Sequence, residues 1–169
     1  MTHPLTAVMR EADGFLVIGD SANERFPAFS YEAYTKANRR FYCIDLGGLT
    51  ESRGKIQGGK VYTSAAELPP DHGDLALIWV TPKRAVAAVE VAHEAGCKRV
   101  WFSFKTGHRD AVHRARALGM EVVEIGRCPI YYLDGAPPAC AAHVVLTKVT
   151  GAWGKPPQTD AEGTHRELW

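Results

Sequence analysis

Five apolar-rich runs punctuate this chain, at 15–18, 41–44, 75–80, 99–104 and 121–125. The first three show no alternation of apolar and polar positions, which is how strands buried on both faces of a sheet read. Between the runs the period changes to that of a helix. Leu5, Val8 and Met9 share a face over 4–12, and Phe29, Ala33 and Tyr34 share one over 27–38, with Asn38 as a stop. Thr81-Pro82 has the form of an N-cap and first helical residue; the helix it opens carries Val86, Val89, Ala92 and His93 on one face and ends at Gly96. Residues 109–118 form another helix, closed by Gly119. Strand then helix, repeated, predicts an α/β protein: a single-domain doubly wound parallel sheet of about five strands, Rossmann-like, in the order 3-2-1-4-5 with flanking helices.

Two stretches fall outside that rhythm. LGGLTESRGKIQGGK at 46–60 is loop by its glycine and charge, and it is long enough to be functional. Val61-Tyr62 follows as a brief extended piece, Ser64-x-x-Glu67 has the form of a capping box, and Pro69-Pro70 ends that turn. After GRCP at 126–129 the repeat breaks down; 139–149 is a closing helix. The domain therefore spans 1–150 around a core at 14–133. The polar, proline-bearing segment 151–169 is expected to be loose.

Composition narrows the partners. A length of 169 residues suits one domain with a proper core, and 46% hydrophobic with 23% charged residues is ordinary for a globular chain. A formal charge of +1 provides no field for nucleic acid or membrane. The first residues lack an apolar core of signal-peptide length, and no stretch reaches the ~20 apolar residues of a membrane span. Cys43, Cys97, Cys128 and Cys140 have no paired spacing, so reduced thiols in a cytoplasmic protein, with no metal site, are expected.

Against this neutral background, bases gather on four loops that such a fold brings to one edge of its sheet. These are Arg25; Arg53 and Lys55; Lys83 and Arg84; Lys105 and Arg109, each beside a hydroxyl from Ser21, Ser52, Thr81 or Ser103. Bases and helix starts converging on one edge favour a polyanionic ligand. The stretch 14–27, GFLVIGDSANERFP, is the clearest case: a buried strand, a small-residue turn, then Pro27 at a helix start. A dinucleotide fingerprint would need G-x-G-x-x-G there, and Gly19 supplies one glycine of three. Asp45 ends the second strand where NAD sites keep an acid for the ribose, which leaves an NAD(P)-binding redox or sensor protein as the alternative. A ligand-free interaction subunit is a third reading.

VIGDSANERF, WVTP at 79–82, the strand end at 102–105 and GRCP at 126–129, taken together, resemble the small stand-alone CoA-binding proteins. Their fold is shared with the N-terminal domain of the succinyl-CoA synthetase alpha subunit. The resemblance covers about 14–133. It implies that Gly19, Asp20, Ser21, Asn23 and Arg25 cradle the nucleotide and phosphates of coenzyme A or an acyl-CoA. It further implies that Val80, Thr81 and Pro82 line the adenine or pantetheine channel, and that Ser103, Phe104 and Lys105 close it. The chain departs from the family in carrying Asp45-Leu46 where an Asn-Pro pair is usual.

Nothing points to catalysis. The phosphorylated histidine of succinyl-CoA synthetases sits on a second domain for which this chain has no room, and His93 and His113 fall inside helices; only His108 is placed to touch a ligand. Cys128 has two readings: a thiol brought toward the pantetheine thiol, or a small buried hydrophobe ending the fifth strand. A homo-oligomer or another protein partner is left open, with Trp153 and Trp169 as apolar residues for an interface.

Overall fold

The computed structural model describes residues 2–25, 28–135 and 137–162. The expected alternation is present. α1 (Pro4–Glu11) precedes β1 (Phe15–Gly19), α2 (Ala28–Lys36), β2 (Phe41–Asp45), β3 (Leu75–Trp79), α3 (Ala85–Glu94), β4 (Arg99–Phe102), α4 (Arg109–Ala117), β5 (Glu121–Ile125) and α5 (Pro138–Val149). All five strands are parallel. β1 is buried along its whole length and β3 in all but its last residue, because helices cover both faces. Leu16, Ile18, Ile78 and Phe102 face α3 and α4, whereas Phe15, Val17, Leu77 and Trp101 face α1, α2 and the turn Pro129–Tyr132. Gly96 and Gly119 end α3 and α4 with φ of +85° and +75°, a conformation that costs glycine nothing. Pro27, expected at the start of α2, and Trp169 lie outside the described residues.

The strand order is 2-1-3-4-5, where 3-2-1-4-5 was expected. The difference lies in what occupies the flank of β2. Tyr62 forms a parallel bridge with Ile44 there, donating its N–H to the Cys43 carbonyl at 2.8 Å and accepting from the Asp45 N–H at 2.9 Å. The brief piece Val61-Tyr62 thus holds the place that the expected order assigned to the third full strand. The longer apolar run of β3 needs neighbours on both sides and goes to the middle, between β1 and β4.

The segment after α5 departs from expectation as well. Its described part, 150–162, returns along β5: Ile125 donates its N–H to the Gln158 carbonyl at 2.8 Å, and the Gln158 N–H reaches Glu124 Oε2 at 3.0 Å. Arg127 donates to the Lys155 and Pro156 carbonyls at 2.8 and 2.6 Å. A polar segment is held here because a buried arginine needs more acceptors than Glu124 alone can provide.

Candidate functional site

In an open parallel sheet the ligand crevice opens where chain connections diverge, beyond the carboxyl ends of the strands. β1 has β2 on one side and β3 on the other, so here the crevice lies between the turn after Gly19 and the loop after Trp79. The turn Ser21–Asn23 is a single 3-10 turn, and Glu24 closes it in the left-handed region at φ 57°. Asp20 and Arg25 then exchange backbone hydrogen bonds of 3.3 and 2.9 Å, pinching the turn shut.

The side chains of this turn are committed to one another and to the neighbouring loop. Asp20, 1% exposed, accepts from Asn23 Nδ2 at 2.7 Å and lies 3.3 Å from Arg84 Nε. Asp45, also 1% exposed, accepts from the Ser21 N–H at 2.7 Å and the Ser21 hydroxyl at 2.6 Å, and from the Leu49 N–H at 2.7 Å. Arg84 also donates to the Leu46 carbonyl at 3.1 Å. Two buried carboxylates and one arginine therefore lock the loops after β1, β2 and β3 into one frame. Gly47 is part of it: a Cβ there would stand 2.5 Å from both the Ala22 nitrogen and Ser21 Oγ, so only glycine permits this approach. The glycine pair at 47–48 was a visible signal; the strut role of Asp45 was not.

Of the residues expected at the site, Gly19 is buried at the end of β1 and its carbonyl accepts the Leu46 N–H at 2.8 Å. Val80 is fully buried in the core, Thr81 is half-buried in extended conformation, and Pro82 is exposed at the start of a 3-10 turn, Pro82–Arg84, that leads into α3. Thr81 makes no side-chain capping bond, so the expected N-cap is one of position only. The rings of Trp79 and Phe104 lie 6.1 Å apart and join the ends of β3 and β4. Ser103 is buried; Lys105 is exposed and adopts φ 55°, unusual without glycine. Thr106, which sequence reasoning passed over, is fully buried and its hydroxyl has no partner among the described residues.

Among the seven bases on the four loops, three are engaged: Arg84 with Asp20, Lys55 with Glu32 at 3.6 Å, and Arg109 with Glu162 at 3.6 Å. The side chains of Arg25, Arg53, Lys83 and Lys105 make no hydrogen bond or ion pair with the described residues. The carboxylates inside the crevice, Asp20 and Asp45, are buried and occupied, so four unpaired bases outnumber the two exposed acids of these loops, Glu24 and Glu51, and leave a positive rim. Among the described residues, no group of three His, Cys, Asp or Glu side chains could hold a metal ion, and no helix is long and apolar enough to cross a membrane.

Cys128 keeps some exposed surface, but burial pushes its thiol up to about 12, opposed only weakly by hydrogen bonds that include one with Ser103. Burial likewise raises Cys97 to about 12. A thiol this reluctant to ionise is a poor nucleophile. It also ties stability to pH. Because the folded-state values are raised, the unfolded chain loses these protons first, so stability is flat below the ordinary thiol value near 9.0 and falls as pH rises toward 12. Urea midpoints measured from neutral to strongly alkaline pH are expected to show that decline; a midpoint that held steady would contradict it.

A family model described as "CoA binding domain" matches residues 14–134. The chain belongs to that CoA-binding family. A hypothetical protein from Pyrococcus horikoshii OT3 shares the fold with a TM-score of 0.63 at 24% identity, covering 76% of this chain and 86% of that one. A conserved hypothetical protein from Pyrococcus furiosus superposes with a TM-score of 0.53 at 24% identity over 68% of this chain and 94% of that one. A structure titled dinucleotide forming acetyl-coenzyme A synthetase 1, apo form, from Ca. Korarchaeum cryptofilum has a TM-score of 0.51 at 17% identity; the match covers 73% of this chain but 29% of that one. No curated protein is significantly similar in sequence.

Proposed function

We propose that this CoA-binding family member binds coenzyme A or an acyl-CoA in the crevice between the ends of β1 and β3 and carries out no catalytic step of its own. The observation that carries the proposal is the set of four unpaired bases, Arg25, Arg53, Lys83 and Lys105, on the loops around that crevice. A ligand with a diphosphate and a further phosphate supplies the charge they lack. In this reading Gly19, Asp20, Ser21 and Asn23 shape the turn and Arg25 meets phosphate. Thr81 and Pro82 form one wall of the channel, with Val80 buried behind them; Ser103, Phe104 and Lys105 form the other. The commitment of Asp45 to Ser21 and Leu49 speaks against the NAD(P) alternative, which needs that carboxylate for a ribose.

Titration calorimetry with CoA, acetyl-CoA, NAD and NADP tests the assignment. Saturable heat is expected with the CoA species; saturable NAD binding without any response to CoA would overturn it. Arg25→Ala is expected to weaken CoA binding by about 1.5–3 kcal/mol, the worth of a hydrogen bond to a charged group. An unchanged affinity would remove Arg25 from the phosphate.

A further inference from the structure

We propose that α5 forms the centre of a twofold interface between two copies of this chain. α5 lies against the turn Pro129–Tyr132, and among its described side chains it buries only Cys140 and Thr147, with Val144 half-buried. A surface helix ordinarily presents its polar side to solvent. This one presents Pro138, Ala141, Ala142, Val145, Leu146 and Val149, with only His143 and Lys148 as polar company. Val145, Leu146 and Val149 are 60%, 44% and 80% exposed and are the exposed large hydrophobic side chains among the described residues. Spacings of one, three and four residues set them as a single ridge. An apolar ridge of this kind marks an interaction surface.

Shape and charge favour a second copy as the occupant. Beside the ridge runs a groove of about 600 Å³, walled by α1, the 131–135 turn and α5 itself, with Tyr131, Leu133, Val144 and Trp153 in its lining. Ridge and groove on the same face satisfy each other under a twofold axis, since each copy inserts what the other receives. The formal charge on the exposed face of α5 is Lys148, which also lines the groove and lies 5.1 Å over the Trp153 ring. The groove rim carries Asp134, which pairs with Arg10 yet leaves its side chain 66% exposed. Lys148 of one copy and Asp134 of the other are thus complementary. This surface is formed by α1 and α5, whereas the CoA crevice is formed by the loops after the strands, so the two proposals stand or fall separately.

Sedimentation equilibrium on the full chain at tens of micromolar is expected to give twice the chain mass. The double variant Val145→Glu, Val149→Glu is expected to sediment as a monomer, its dissociation constant raised at least about 100-fold because the twofold buries every introduced carboxylate twice. Both positions are solvent-facing within one chain, so circular dichroism should be unchanged. Lys148→Asp is expected to weaken the dimer, and adding Asp134→Lys to restore it. A monomeric wild-type chain, whether or not another protein binds the ridge, would overturn the proposal. So would a double glutamate variant that dimerises as tightly as the wild type, or a charge swap that fails to rescue.

Discussion

Replacing Arg127 by methionine is expected to destabilise the protein by about 3–5 kcal/mol, the range for breaking a buried ion pair by removing one partner. Arg127 is 1% exposed, and its Nη2 donates to Glu124 Oε2 at 2.7 Å, with Glu124 fully buried. The same guanidinium donates to the Tyr132 hydroxyl at 2.9 Å and to two carbonyls of the 150–162 segment. Without it, the Glu124 carboxylate keeps the Gln158 N–H but loses its counter-charge in an environment that cannot solvate it. The combined change Glu124→Gln, Arg127→Met is expected to recover part of the loss, because no uncompensated charge remains. Urea unfolding at constant m-value reads both. A single variant within about 1 kcal/mol of wild type would mean that the cluster is solvated or relaxes freely.

The second large effect is expected from Asp45→Ala. Its carboxylate receives two N–H groups and one hydroxyl, and hydrogen bonds to a charged group are worth about 1.5–3 kcal/mol each, without being additive. A loss of about 3 kcal/mol in stability is expected. The larger consequence falls on binding. Ser21 would lose the anchor that holds the first turn against the second loop, so CoA affinity should drop about tenfold or more although Asp45 itself meets no ligand in this arrangement. Calorimetry and urea unfolding on the same variant separate the two effects. Wild-type affinity in a destabilised variant would show that the frame does not position the site. An NAD site would behave differently, since removing the ribose acid would abolish NAD binding directly.

Much of this architecture was written locally. The runs at 15–18, 41–44 and 75–80 form strands because uninterrupted apolar residues suit only a strand covered on both faces. The glycines at 96 and 119 stop helices because a left-handed residue satisfies the last carbonyls without strain. The family was legible too, since VIGDSANERF, WVTP and GRCP, which carried the resemblance, all fall within the matched 14–134.

What escaped prediction depends on contacts distant in the chain. Nothing near Asp45 distinguishes an acid for a ribose from an acid for Ser21; the choice is made by a turn 24 residues earlier and by the absence of a Cβ at Gly47. The 150–162 segment reads as loose because polarity is a local property, while the acceptors that Arg127 requires are supplied from 28 and 29 residues away.

The sequence by itself determined the alternation of strands and helices, the helix ends, the parallel sheet and the CoA-binding family. All of these rest on patterns a few residues long. Only the tertiary structure decided where β3 enters the sheet, which of the seven loop bases are already neutralised, and which face of α5 is left apolar in solvent. Those outcomes follow from which buried polar groups find partners and which apolar faces find cover. Both are settled between segments far apart along the chain, where no short pattern can record them.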